Sequence, residues 1–170
     1  MSEQSVSLAD IQKIFSSGNV ELILQSLEHI REVGNEQIFD FLIQQLAANQ
    51  NADIQRAISA CLADVHNPHC APILVKYVQN PDFAAHKSVL FSIAWQSALD
   101  FSELAEFAVE SICNDDFATA FEAHTLLEHI SPALLPEQKQ AYTQQFETAL
   151  QHCTDTQKEF LLRSSIDVLN

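Results

Sequence analysis

The sequence predicts an all-α fold, a right-handed α-α superhelix of about five antiparallel helical hairpins forming one domain over residues 1–170. Three observations carry this expectation. Only two glycines (Gly18 and Gly34) and five prolines occur in 170 residues, while Ala, Leu, Gln and Glu are abundant, which favours helices joined by short turns over sheets. Apolar residues recur at three- and four-residue steps along nearly the whole chain, the period of a helix with one buried face. The residues expected to cap the second helix of each hairpin, Asn19, Asp53, Asp82, Asp116 and Asp155, are by subtraction 34, 29, 34 and 39 apart, which is the repeat length of helical-hairpin arrays. A chain of this length can bury one sizeable core.

Taken in order, Ser7 and Asp10 form a capping-box pattern ahead of a helix over residues 8–16, ending near Gly18. Asn19 then caps a second helix with Val20, Ile23, Leu24, Leu27 and Ile30 as its apolar face and Gly34 as its stop. A third helix starts near Glu36 and buries Ile38, Phe39, Leu42, Ile43 and Leu46. After the polar turn Asn49-Gln50-Asn51, Asp53 caps a fourth, in which Ile54, Ala57, Ile58, Cys61, Leu62 and Val65 repeat the pattern. The break His66-Asn67-Pro68-His69 leads into a fifth helix with Ile73, Leu74, Tyr77 and Val78 inward. At Asn80-Pro81-Asp82 two helices must meet, because Pro81 cannot continue a helix and pushes Asn80 out of the helical region. Asp82 is placed to cap the sixth helix, with Phe83, Val89, Leu90, Ile93, Ala94 and Trp95.

Asp100 opens the seventh helix, with Leu104, Phe107, Ala108 and Ile112 on one side, and Asn114-Asp115-Asp116 closes it. The eighth carries Phe117, Ala120, Phe121, Leu127 and Ile130 inward. Pro132 and Pro136 break the pattern before a last pair over residues 137–152 and 156–169. The peptide Leu-Glu-His-Ile occurs at Leu27–Ile30 and again at Leu127–Ile130, both late in a second helix, as expected of related repeats.

The segments ANQNADIQRAISACLADV, VQNPDFAAHKSVLFSIAW and ICNDDFATAFEAHTLLEHI resemble the turn and second helix of HEAT-type repeats, the Asn-Pro-Asp corner matching their Asp-Pro-Asp. The resemblance covers residues 36–130 closely and the end pairs loosely. It implies a non-catalytic binding or scaffolding solenoid whose second helices line the concave side. The Arg that these repeats place in the first turn of the second helix is replaced here by Ala57, His86 and Ala120, so the inter-repeat ladder that Arg supports is missing.

The function classes are bounded by charge. With 23 acids against 8 bases the net charge is −15, which repels phosphate backbones, so neither nucleic acid nor an anionic membrane is an expected partner. The bias is local as well: Ser88 to Gln138 holds nine acids and no Lys or Arg. Asp100, Glu103, Glu106 and Glu110 are spaced to form a stripe along the seventh helix, and Asp115 and Asp116 follow at its corner. These six residues are the expected contact surface for a basic protein partner, whose association such a ridge would accelerate. An acidic inhibitor or immunity-type protein would use the same chemistry.

A metal-binding or enzymatic alternative would use His66, His69 and Cys70, with Cys61 nearby, or His124 with Glu128. No second compact ligand pair accompanies His66-Asn67-Pro68-His69-Cys70, and no phosphate-cradling or nucleophile-elbow motif occurs. Two Glu-His pairs, Glu28-His29 and Glu128-His129, invite comparison with the HEAT-like deoxyhypusine hydroxylases, whose di-iron ligands are repeated His-Glu pairs; the order here is reversed. His124 is expected to be a satisfied, semi-buried histidine. No cofactor or metal is expected. The cysteines, Cys61, Cys70, Cys113 and Cys153, form no CxxC pair and fit reduced thiols. Without a basic n-region and apolar run at its start, the chain is expected to be cytoplasmic. Its apolar last helix (Phe160, Leu161, Leu162, Ile166, Val168, Leu169) is expected to fold back on the ninth in a monomer, the alternative being a homodimer through that helix.

Overall fold

The computed structural model describes residues 7–30 and 35–170. Among these are ten α-helices, four 3₁₀ turns and no strand, and no helix is long and apolar enough to cross a membrane. The chain divides into two compact units, residues 1–74 with 96–99 and residues 75–95 with 100–170.

In the first unit the helices are α1 (Leu8–Ser16), α2 (Val20–Ile30), α3 (Glu36–Ala48) and α4 (Ala52–Ala63), followed by the 3₁₀ turn Pro68–Cys70. Each helix begins where a side chain takes up the amides left without partners at its first turn. Ser7 Oγ accepts from the Asp10 N–H at 3.2 Å. Asn19 Oδ1 accepts from Leu22 at 3.2 Å, Asn35 from Gln37 at 2.7 Å, Asn51 from Asp53 at 2.9 Å and Asn67 from His69 at 3.1 Å. Asn19, Asn35, Asn51 and Asn67 are sixteen residues apart at each step, so the recurring element is one helix with its asparagine cap, and two such elements make a hairpin. Between α1 and α2 the chain reverses through Gly18, whose φ of 66° lies in the left-handed region that glycine occupies without steric cost.

Packing follows the same order: α1 touches α2 and α3, α4 touches α2 and α3. First helices thus lie on first helices and second on second. All five apolar residues expected inward on α3 are buried, as are Ile54, Ile58, Cys61, Leu62 and Val65. Val20, expected inward on α2, is exposed, and the expected stop at Gly34 lies outside the described residues.

Helix α5 (Ala71–Gln79) contains the boundary between the units. In the second unit a 3₁₀ stretch, Pro81–His86, precedes α6 (Lys87–Gln96). The turn Ser102–Leu104 leads into α7 (Ala105–Asn114), which is followed by α8 (Phe117–Ile130), the turn Ser131–Ala133, α9 (Pro136–His152) and α10 (Thr156–Leu169). Helices α7 and α8 form one hairpin and α9 and α10 another, with α7 against α9 and α8 against α10. The C-terminal helix does fold back on α9, and packs on α8 as well; Leu161, Leu162 and Leu169 are buried there.

Two expected caps are displaced. Asn51, and not Asp53, caps α4; Asn80, and not Asp82, caps the stretch after it, accepting from the Asp82 N–H at 3.0 Å. The physical reason at the second site is Pro81: proline occupies the first position of a helix, where a missing N–H costs nothing, so the residue before it is the cap. Both aspartates sit two residues further in, within the first turn, where their charge faces the positive end of the peptide dipoles. Asp116 and Asp155 cap α8 and α10 as expected, accepting from Thr119 and Lys158 at 3.0 and 2.9 Å.

Candidate functional site

The six acids expected to meet a partner fall into two groups. Glu103, Glu106 and Glu110 are exposed, and none is ion-paired among the described residues. Glu106 and Glu110 are one turn apart on α7, whereas Glu103 lies in the preceding 3₁₀ turn and Asp100 before that. The expected continuous stripe on one α-helix is therefore broken: the helix starts only at Ala105, because Phe101 and Leu104 turn into the core and the chain tightens to place them. The ridge also borders α9, since the Glu106 charge joins burial in pushing the Tyr142 hydroxyl upward, burial being the larger cause.

Asp100, Asp115 and Asp116 have local structural roles. Asp100 accepts from the Ser102 N–H at 2.9 Å, and that bond, with the Ser102 hydroxyl, holds its carboxyl below the usual range. Asp116 is held low in the same way by the Thr119 amide and hydroxyl. Asp115 is half-buried and pairs with Lys87 at 3.2 Å, while its carbonyl accepts from Lys158 Nζ at 2.6 Å. Burial lowers Lys158, and the charges of Asp115 and its neighbours oppose that shift.

The candidate metal ligands point apart. His66 and His69 are exposed, while Cys61 and Cys70 are buried, because Pro68 starts a 3₁₀ turn that sends His69 outward and Cys70 into the core. Burial, with a smaller contribution from the Glu36 charge, pushes the Cys70 thiol up to about 11, so it stays protonated and is a poor ligand or nucleophile near neutrality. Among the described residues no three His, Cys, Asp or Glu side chains are grouped to hold a metal ion.

His124 is buried in α8 and joined to α10. Ser165 donates its proton to the Leu161 carbonyl at 2.9 Å, so its oxygen accepts from His124 Nδ1 at 2.9 Å. Nε2 then carries the lone pair, with Ser164 Oγ at 3.4 Å and Glu128 Oε1 at 3.6 Å. Burial holds the imidazole below its usual range despite the opposing Glu128 charge. A hydrolytic relay needs a carboxylate on the nitrogen opposite the nucleophile. Glu128 does lie opposite Ser165, but Ser165 is fully buried and its proton is committed to the Leu161 carbonyl, so no substrate reaches that hydroxyl and the contact joins two helices.

Sequence reasoning missed the outer face of α8. Phe117 and Phe121, expected inward, are 42% and 50% exposed and lie tilted against each other with ring centroids 6.2 Å apart. Helix α8 is covered by α7 and α10, which bury Ala120, Ala123, His124, Leu127 and Ile130 and leave the flank carrying both rings free. The signal was present: Thr125 and Glu128 follow Phe121 at one and two turns on that flank, and both are polar. A cleft of about 760 Å³ opens where the end of α7 meets α9 and α10, with Cys113, Gln145, Thr148, Cys153 and Lys158 among its walls. No family model matches the chain, and no curated protein is detectably similar to it.

Proposed function

We propose that the chain is a non-catalytic protein-binding module of HEAT-like helical repeats that presents an acidic surface to a basic protein partner. The observation that carries this reading is the exposure of Glu103, Glu106 and Glu110 without ion pairs, in a 51-residue stretch lacking any Lys or Arg. Uncompensated acids raise the local concentration of a positively charged partner and steer its approach. The repeat reading is supported by the sixteen-residue recurrence of asparagine caps. It is supported too by the packing of first helices on first and second on second in each unit, the nearest-neighbour order of stacked hairpins.

The three glutamates are the residues to change, because Asp100, Asp115 and Asp116 also hold the backbone. Affinity capture from native lysate, read by mass spectrometry, compares wild type with the triple variant Glu103→Lys, Glu106→Lys, Glu110→Lys. The expected result is unchanged helical circular dichroism and loss of the basic proteins captured by wild type. Equal capture by the variant refutes the reading.

A further inference from the structure

Helices α6, α8 and α10 run parallel, as contacts at their starts and further along fix. Lys87 near the start of α6 reaches Asp115 at the start of α8, and Trp95 near its end donates from Nε1 to Glu122 at 2.8 Å. Lys158 at the start of α10 reaches the Asp115 carbonyl, and Ser164 and Ser165 meet His124 at mid-helix. Ser164 therefore marks the flank of α10 that faces α8, and Phe160 stands one turn earlier on that helix. Phe160 is 73% exposed. Three large rings thus stand out from neighbouring helices, where isolated exposed apolar residues would need no explanation but a group does.

The frame around them is anionic. Asp116 stands at the start of α8, Glu122 follows Phe121 and keeps acceptor capacity beyond the Trp95 bond, and Glu128 is exposed one turn past Thr125. The nearby bases lie against acids: Lys158 donates to the Asp115 carbonyl and sits in the field of the Asp115 and Asp116 charges, and Arg163 pairs with Glu159 at 2.8 Å. A second copy of this chain would bring the same acids against one another, at a net charge of −15 on each, and like charges across an interface are strongly unfavourable.

We propose that the outer face of α8 and α10, with Phe117, Phe121 and Phe160 inside a frame of Asp116, Glu122 and Glu128, docks an amphipathic helical segment of a partner, apolar on one face and basic along its edges. This goes beyond the reading above: it adds a contact surface on the second helices, separate from the ridge of α7. Aromatic anchors supply contact area at low entropic cost, and the acids fix the orientation and reject acidic segments.

The test uses the full chain and a labelled synthetic helix with leucines on one face and lysines on the other, followed by fluorescence anisotropy. Its controls are a scrambled peptide of equal composition and a glutamate counterpart. The amphipathic basic helix is expected to bind best. Phe121→Ala with Phe160→Ala should weaken it about tenfold or more, and the α7 triple lysine variant should change it by less than about twofold at matched salt. Both rings are largely outside the core, and unchanged circular dichroism confirms the fold. If the triple variant abolishes binding and the phenylalanine variant does not, this inference fails while the ridge reading stands. If neither variant matters, this inference fails, and the ridge reading is decided by its own capture experiment. A homodimer by light scattering that dissociates on Phe160→Ala overturns the proposal in favour of self-association.

Discussion

Replacing Ser165 by alanine removes the acceptor that holds the buried imidazole of His124, and the cost follows from the contacts around it. A buried donor left without a partner costs about 1–3 kcal/mol. The ring can recover part of this by moving its proton to Nε2 and donating toward Glu128 Oε1, 3.6 Å away, which puts the expected loss at about 1–2 kcal/mol. His124→Leu is milder, about 0.5–1.5 kcal/mol, because Ser165 keeps its bond to the Leu161 carbonyl and leucine keeps apolar contact. The double variant should cost less than the sum of the singles by about 0.5 kcal/mol or more. Urea unfolding at pH 8, followed by circular dichroism, measures all four proteins. Additivity within about 0.3 kcal/mol would show that the two residues do not share one interaction.

The same contact sets a pH dependence. The folded-state pKa of His124 lies below its ordinary value, with burial the larger cause, so the unfolded chain takes up the proton first. Its contribution to stability is complete above about pH 6.5 and is lost as pH falls through that value toward the folded pKa. Wild type should lose stability below pH 6.5 more steeply than His124→Leu; parallel profiles would contradict the assignment. At the corners, Asn80→Ala should cost about 1 kcal/mol and Asp82→Ala only a few tenths, measured by thermal unfolding, and the reverse order would restore Asp82 as the cap. With a maleimide at pH 8, intact-mass analysis should show half-buried Cys153 labelled first. Cys113, raised by burial against the Lys158 charge, should follow, with Cys70 labelled only on unfolding because about one molecule in a thousand carries its thiolate.

Much of this fold was legible in the residues. The bounds of α1, α3 and α10, the turn at Gly18, the proline corners and the buried faces of α3 and α4 follow from rules acting within about one helical turn: caps, proline geometry and apolar spacing. The displaced cap at Asn80 was legible as well, since Pro81 marks the residue before it. The acidic bias needed no structure, because a stretch with nine acids and no base remains biased however it folds.

What composition and period alone determined is that the chain forms helices, in hairpins, with an acidic surface. What only the tertiary structure decided is which flank of each helix is covered. A helix's own spacing defines an apolar arc, but the neighbours choose how much of it is buried. Because α7 and α10 cover two sides of α8, the small residues and His124 turn inward and Phe117 and Phe121 remain outside. Ser165, 41 residues from His124 along the chain, satisfies that imidazole only because the two helices are parallel and in register. Such pairings depend on contacts that no local pattern records.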